Sequence, residues 1–215
     1  MEIQANVVMD LRQRTGAGMM DCKKALLETK GDVEAAIEYL RKKGLSAAAK
    51  KSGRDTKEGT IGTYVHSNGK IAVMVEVNCE TDFVARNEGF QTFVKDIAMH
   101  IAAAAPVCVD KDDMPQDFIA KEREIALGQM KEDPKMAGKP QAVLDKVIEG
   151  KIAKIYDEQC LMGQKFVKNP DISIKDYVSL TVGKIGENIT ISRFTRYVLG
   201  EATKKAGAQA PEAST

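Results

Sequence analysis

One stretch constrains this chain more than any other. Ile61, Thr63 and Val65 alternate with their neighbours on one side of Ser67-Asn68-Gly69, and Ile71, Val73, Val75 and Val77 alternate on the other. Period-two alternation places one set of side chains on one face of an extended chain. Asn-Gly between two such runs marks a hairpin, because both residues tolerate positive φ. Ile189 and Ile191 read as a returning strand able to join that hairpin. Most of the remaining chain has helical spacing. The expected fold class is therefore α+β, a small antiparallel sheet covered by helices.

The residues ahead of the hairpin predict a compact unit of three short helices. Val7, Val8 and Leu11 give residues 5–13 an apolar side, and Gly16 and Gly18 mark a tight turn. Met19, Met20, Cys22 and Leu26 are the packing candidates of a second helix. Asp32 can cap a third, in which Val33, Ala36, Ile37 and Leu40 follow a 3–4 spacing before Gly44 stops it. Helices this short are marginal alone and must share a core. The expected organisation is a three-helix domain at 1–45, a polar linker at 46–59, an α+β core at 60–200 and a tail at 201–215.

Within that core, Phe83, Phe90, Val94, Ile97 and Ile101 form one helical stripe that Pro106 ends. Residues 117–130 read as a helix, and Asp133-Pro134 and Gly138-Lys139-Pro140 punctuate the chain. A further helix starts near Pro140 and runs through Leu144, Ile148, Ile152 and Ile155. Residues 174–183 read as a helix or short turn. The closing ATKKAGAQAPEAST is small and polar, the composition of a disordered tail.

Charge and composition exclude several functions. Lys plus Arg number 32 against 31 for Asp plus Glu, a net charge of +1, which does not suggest a broad nucleic-acid surface. The opening MEIQANVVMDLRQR lacks the apolar run of a signal peptide, and no stretch is long and apolar enough to cross a bilayer. A cytoplasmic protein is expected. Cys22, Cys79, Cys108 and Cys160 are far apart and form no CxxC, so free thiols are expected. His66 and His100 have no close partner of zinc-binding spacing. GxxxxGK[ST], GxSxG and HExxH are all absent. Gly16-Ala17-Gly18 follows a helix rather than a strand and reads as a structural turn. His100 is read on the wet side of its helix, apart from Cys108, which lies beyond a proline in an apolar patch. Arg193, Phe194, Arg196 and Tyr197 on the last strand read as a packed aromatic core with flanking arginines, or as a stacking surface for nucleic acid.

One local feature stands apart. Asn78-Cys79-Glu80-Thr81-Asp82-Phe83 joins the second hairpin strand to the long helix. Thr81 or Asp82 can cap that helix, and Asp82 suits its positive end. From the pattern alone, Phe83 is the first core residue of the stripe.

Three stretches resemble bacterial translation elongation factor Ts: RTGAGMMDCKKALLETKGD at 14–32, EVNCETDFVARNEGF at 76–90 and KIGENI at 184–189. The likeness runs from the first helix to about Gly200. It implies a ubiquitin-associated-like three-helix domain followed by a linker and an α+β core that dimerises. It implies a guanine-nucleotide exchange factor for elongation factor Tu, with no covalent chemistry, no cofactor and no nucleotide or nucleic acid bound directly. Thr81, Asp82 and Phe83 match the family's exchange motif, whose Asp and Phe approach the partner's magnesium site while the Phe wedges between partner helices. Leu11, Arg12, Met19 and Met20 are the implied contacts of the N-terminal domain. The hairpin-plus-helix pattern occurs once, where longer members carry two, which implies the short form: a homodimer in a two-plus-two complex with elongation factor Tu. A Cys in an R-F-C-R-F pattern links subunits in one such form. Thr195 stands in the corresponding Arg193-Phe194-Thr195-Arg196-Tyr197, so the expected dimer is noncovalent. The competing readings are an RNA-binding accessory protein of translation, using Arg193–Tyr197, and a small metabolic enzyme, which needs a cleft with convergent polar groups.

Overall fold

The computed structural model describes residues 3–132 and 139–201, apart from the side chain of Lys131. Asp133-Pro134, Gly138 and the tail from Ala202 lie outside the described residues. The architecture is α+β, with helices first and a small antiparallel sheet flanked by helices. No described helix is long and apolar enough to cross a membrane. The chain divides into two compact units. One comprises residues 1–62, 75–97 and 175–192; the other comprises 63–74, 98–174 and 193–215.

The first unit opens with α1 (Ala5–Thr15), α2 (Met19–Glu28) and α3 (Val33–Ala49). Their apolar faces meet in a core of Val8, Leu11, Cys22, Ala25, Leu26, Ala36 and Leu40. Gly16 ends α1 in the left-handed region at φ 65°, and its N–H donates to the Arg12 carbonyl. That conformation favours glycine, which lacks the Cβ that would clash. Asp32 caps α3 by accepting the Ala35 N–H at 3.0 Å. Gly44 does not stop α3 as its residue type suggested: it lies inside the helix and is buried. A Cβ there would stand 3.3 Å from Leu180 Cδ2 and 3.5 Å from the Ser179 carbonyl, so the glycine permits close packing on α8 (Ile174–Ile185). Arg41 reaches the same helix and bonds Asp176 at 2.6 Å.

The three-stranded sheet has the order β1-β2-β5, with β1 at Glu58–Val65, β2 at Ile71–Cys79 and β5 at Ile189–Val198. These strands pass from one unit into the other. In the β1–β2 turn only Gly69 takes a positive φ, 67°. Asn68 instead lends its side chain, accepting the Lys70 N–H at 3.0 Å.

The long stripe is broken. Asp82–Ala85 form a one-turn helix, α4, and α5 (Glu88–Ala104) begins anew. Asn87 opens α5 by accepting the Gly89 N–H on its side chain at 2.8 Å. The buried stripe therefore starts at Phe90, and Phe83 lies outside it, 80% exposed.

In the second unit α6 (Gln116–Glu132) and α7 (Gln141–Gln159) enclose Met114, Ile119, Ala126, Met130, Ile148 and Ile152, with Cys108 and Cys160 in the same core. A hairpin of β3 (Lys165–Phe166) and β4 (Asn169–Ser173) follows. The sequence pattern missed it because the strands are too short to show alternation and Pro170 sits in one of them. His100 is fully buried, not on the wet side of α5. Its Nδ1 accepts the Val167 N–H at 3.3 Å, which leaves Nε2 to donate to Gln164 Oε1 at 3.1 Å. Tyr197 is likewise no core residue: it is 65% exposed on β5.

Candidate functional site

The exposed ring of Phe83 is set up by the residues before it. Cys79 ends β2 with its thiol buried, 3.2 Å from the Thr81 carbonyl. Burial, reinforced by the negative Glu187, pushes that thiol up to about 11. The chain then turns, and Thr81 takes an extended conformation as the cap of α4, its hydroxyl accepting the Val84 N–H at 3.4 Å. Between the two alternatives in the sequence, Thr81 is thus the cap. Asp82, in the first turn, bonds Arg86 at 2.7 Å across one helical turn. Gln91 closes the other end by donating to the Ala85 carbonyl at 2.6 Å.

Two glutamates lock this turn to the segment between α8 and β5. Glu187 Oε2 accepts the N–H groups of Glu80 and Thr81 at 3.1 and 3.0 Å, and Oε1 accepts the Thr81 hydroxyl at 2.7 Å. Glu80 answers by accepting the Asn188 N–H at 2.6 Å. That bond, together with the Arg54 guanidinium, holds the Glu80 carboxyl below its ordinary value. Asn188 donates in turn to the Arg54 carbonyl at 2.9 Å. Sequence reasoning named Thr81, Asp82 and Phe83 but missed Glu187, Glu80 and Arg54. KIGENI was in view as a motif, yet nothing in the linear spacing points Glu187 at Thr81.

The N-terminal candidates separate into two kinds. Met19, Met20 and Arg12 are exposed, Met20 at 75%, beside the Gly16–Gly18 turn. Leu11 is completely buried in the three-helix core, which corrects its expected place among surface contacts. Its position in α1, one turn from Val8, directs it inward with Cys22 and Leu26.

Phe83 and Asp82 present an aromatic ring and a carboxylate on α4, and Met19 and Met20 expose flexible thioethers on α2. The four cysteines are buried free thiols. Among the described residues no group of three His, Cys, Asp or Glu could hold a metal ion.

Comparison with known proteins shows the family of the chain. The sequence profile of the family described as Elongation factor TS matches residues 45–201. Elongation factor Ts of Geobacter sulfurreducens is 55% identical over 205 residues, covering 95% of this chain and 93% of the relative. Its counterpart in Anaeromyxobacter sp. (strain K) is 57% identical over 204 residues, covering 95% of this chain and 91% of the relative. That of Geotalea daltonii is 54% identical over 205 residues, again covering 95% and 93%. With identity sustained at this level over nearly the whole length, the chain belongs to the elongation factor Ts family.

Proposed function

We propose that this chain is a guanine-nucleotide exchange factor that binds elongation factor Tu, promotes GDP release and stabilises the nucleotide-free partner until GTP enters. It does no covalent chemistry. The observation that carries the mechanism is Phe83, a large apolar ring 80% exposed on a one-turn helix whose ends are both tied down. An exposed aromatic held in place is suited to insertion into a partner. In this reading Phe83 wedges between partner helices near the magnesium and phosphate site, and Asp82 approaches the same region. Binding that favours the empty partner must be weakened by nucleotide, since coupling between two ligands is reciprocal. Lowering the release barrier by about 4 kcal/mol accelerates release about a thousandfold.

Residues 1–45 act as a ubiquitin-associated-like domain that adds a second contact through Arg12, Met19 and Met20, with Leu11 supporting it from inside. Residues 46–59 connect it to the core at 60–200, the first of them as the end of α3. The chain works in the cytoplasm as a noncovalent homodimer, two copies with two partner molecules. The open side of the sheet within the second unit supports the dimer: Val65, Met74 and Tyr197 are exposed on its strands, with Thr195 on the same side of β5 as Tyr197, and Leu199 is exposed just past the end of β5. An apolar patch of this kind is suited to a twofold interface. RNA binding through the same strand has less support, because Arg196 already donates to the Ala102 carbonyl at 3.3 and 3.2 Å through Nε and Nη2.

The test is release of labelled GDP from purified elongation factor Tu with and without this chain. Acceleration at catalytic concentrations is expected; no acceleration at micromolar concentration rejects the reading.

A further inference from the structure

We propose that Glu187 is a positioning residue for nucleotide exchange: by holding Glu80 and Thr81 it fixes the one-turn helix that presents Phe83. The proposal rests on Thr81-Asp82-Phe83 being the exchange motif. A helix of four residues has paid for nucleation without the propagation that makes a helix persist. The Phe83 ring adds little packing, since it is 80% exposed. Apart from the small buried side chain of Ala85, what holds α4 lies at its ends. Downstream these are the bonds of Arg86 to Asp82 and of Gln91 to Ala85. Upstream the holding group is Thr81.

The Thr81 hydroxyl has a single hydrogen, and it goes to Glu187 Oε1 at 2.7 Å. Only lone pairs are left to face the Val84 N–H, which is the polarity a helix cap requires. The second oxygen of the same carboxylate accepts the N–H groups of Glu80 and Thr81. One side chain thus satisfies three donors on two consecutive residues immediately ahead of α4. Hydrogen bonds to a charged acceptor are stronger than neutral ones. The Glu80 bond back to Asn188 makes the lock mutual: neither segment can shift without disturbing the carboxylate of the other.

Glu187 and Phe83 do different work. Removing the lock leaves Phe83 present but mobile, so its segment must be ordered each time the partner binds. That cost enters the bound and transition states alike, which raises KM and leaves kcat in place. Removing a ring used in the transition state lowers kcat.

The experiment follows release of a fluorescent GDP analogue from elongation factor Tu, with the loaded partner varied and this chain in catalytic amounts. Glu187→Ala is expected to raise KM about tenfold with kcat near wild type. Glu187→Gln keeps an acceptor oxygen for the two amides and is expected to raise KM about threefold. Phe83→Ala lowers kcat. Adding Glu187→Ala to Phe83→Ala then costs clearly less than it does in wild type, because only Asp82 is left to hold, whereas a merely structural role gives additive losses. Unchanged KM in folded Glu187→Ala, or additivity in the double variant, overturns the proposal. If Glu187→Ala unfolds, KM and additivity for Glu187→Gln decide by the same criteria. Wild-type exchange by Phe83→Ala overturns the motif reading itself, a result distinguishable from failure at Glu187.

Discussion

Arg41 and Asp176, 135 residues apart in sequence, meet at 2.6 Å and tie α3 to α8. The Asp176 carboxylate is the buried member of this pair, while Arg41 remains partly open to solvent. Arg41→Met keeps much of the aliphatic stem and removes the charge. It is expected to cost about 2 kcal/mol, in the range for a hydrogen bond to a charged group. A urea titration measures it, and an unchanged midpoint removes this bond from the account of what holds the helices together.

Phe83 and Phe90 are expected to behave as opposites. Phe90 is completely buried, and Phe90→Ala should cost about 3–5 kcal/mol of stability. Phe83→Ala should change stability by less than about 0.5 kcal/mol while reducing exchange efficiency by about 10- to 150-fold. Thermal unfolding and GDP release on the same two samples check the contrast. A large stability loss at position 83 counts against an exposed wedge.

His100 makes stability depend on pH near neutrality. Burial holds its pKa below the ordinary 6.5, against the opposing pull of its bond to Gln164. The folded chain therefore refuses a proton that the unfolded chain accepts. This contribution is complete above 6.5 and declines as pH falls from there toward the lower folded value. Urea midpoints of wild type should fall between about pH 7.5 and about pH 5.5, and by less in His100→Gln. Equal slopes assign the dependence to other groups.

Met19 and Met20 should report on the partner and Leu11 on the fold. Replacing both methionines by Ser is expected to weaken binding of elongation factor Tu about tenfold with little change in unfolding midpoint. Leu11→Ala should instead cost about 2–5 kcal/mol of stability. Calorimetric binding and denaturant unfolding separate these outcomes. Unchanged affinity in the methionine variant rejects a contact role.

The open side of β5 predicts assembly. Sedimentation under reducing conditions should give about twice the chain mass, and Tyr197→Asp should shift it to that of a single chain by placing a charge in an apolar interface. A wild-type monomer at tens of micromolar rejects the dimer.

The sequence made some elements legible because local residues decide them. Val8, Leu11, Cys22, Leu26, Ala36 and Leu40 lie at helical spacing, and their burial follows from it. The hairpin followed from alternation around Ser67-Asn68-Gly69. The break at Arg86-Asn87 was hidden because Phe83 and Phe90 are separated by seven residues, close to two helical turns, so the stripe stays in phase across it. Asn87 was the available signal, as a residue suited to capping just before an acidic first turn. His100 beside Ile97 and Ile101 could not be assigned to the core without its acceptor, Gln164, on a distant segment. Glu187 was illegible for the same reason: Thr81 is 106 residues away, and no periodicity reaches that far.

The exposure of Phe83 also decides what selection can see. Its own fold gains little from that ring, so substitutions there that spare the backbone of α4 should pass a screen for heat resistance, soluble expression or protease survival. With the wedge role proposed for Phe83, a library ranked by such criteria would retain chains unable to empty their partner and score them as healthy. Only an assay containing the partner can tell these chains apart.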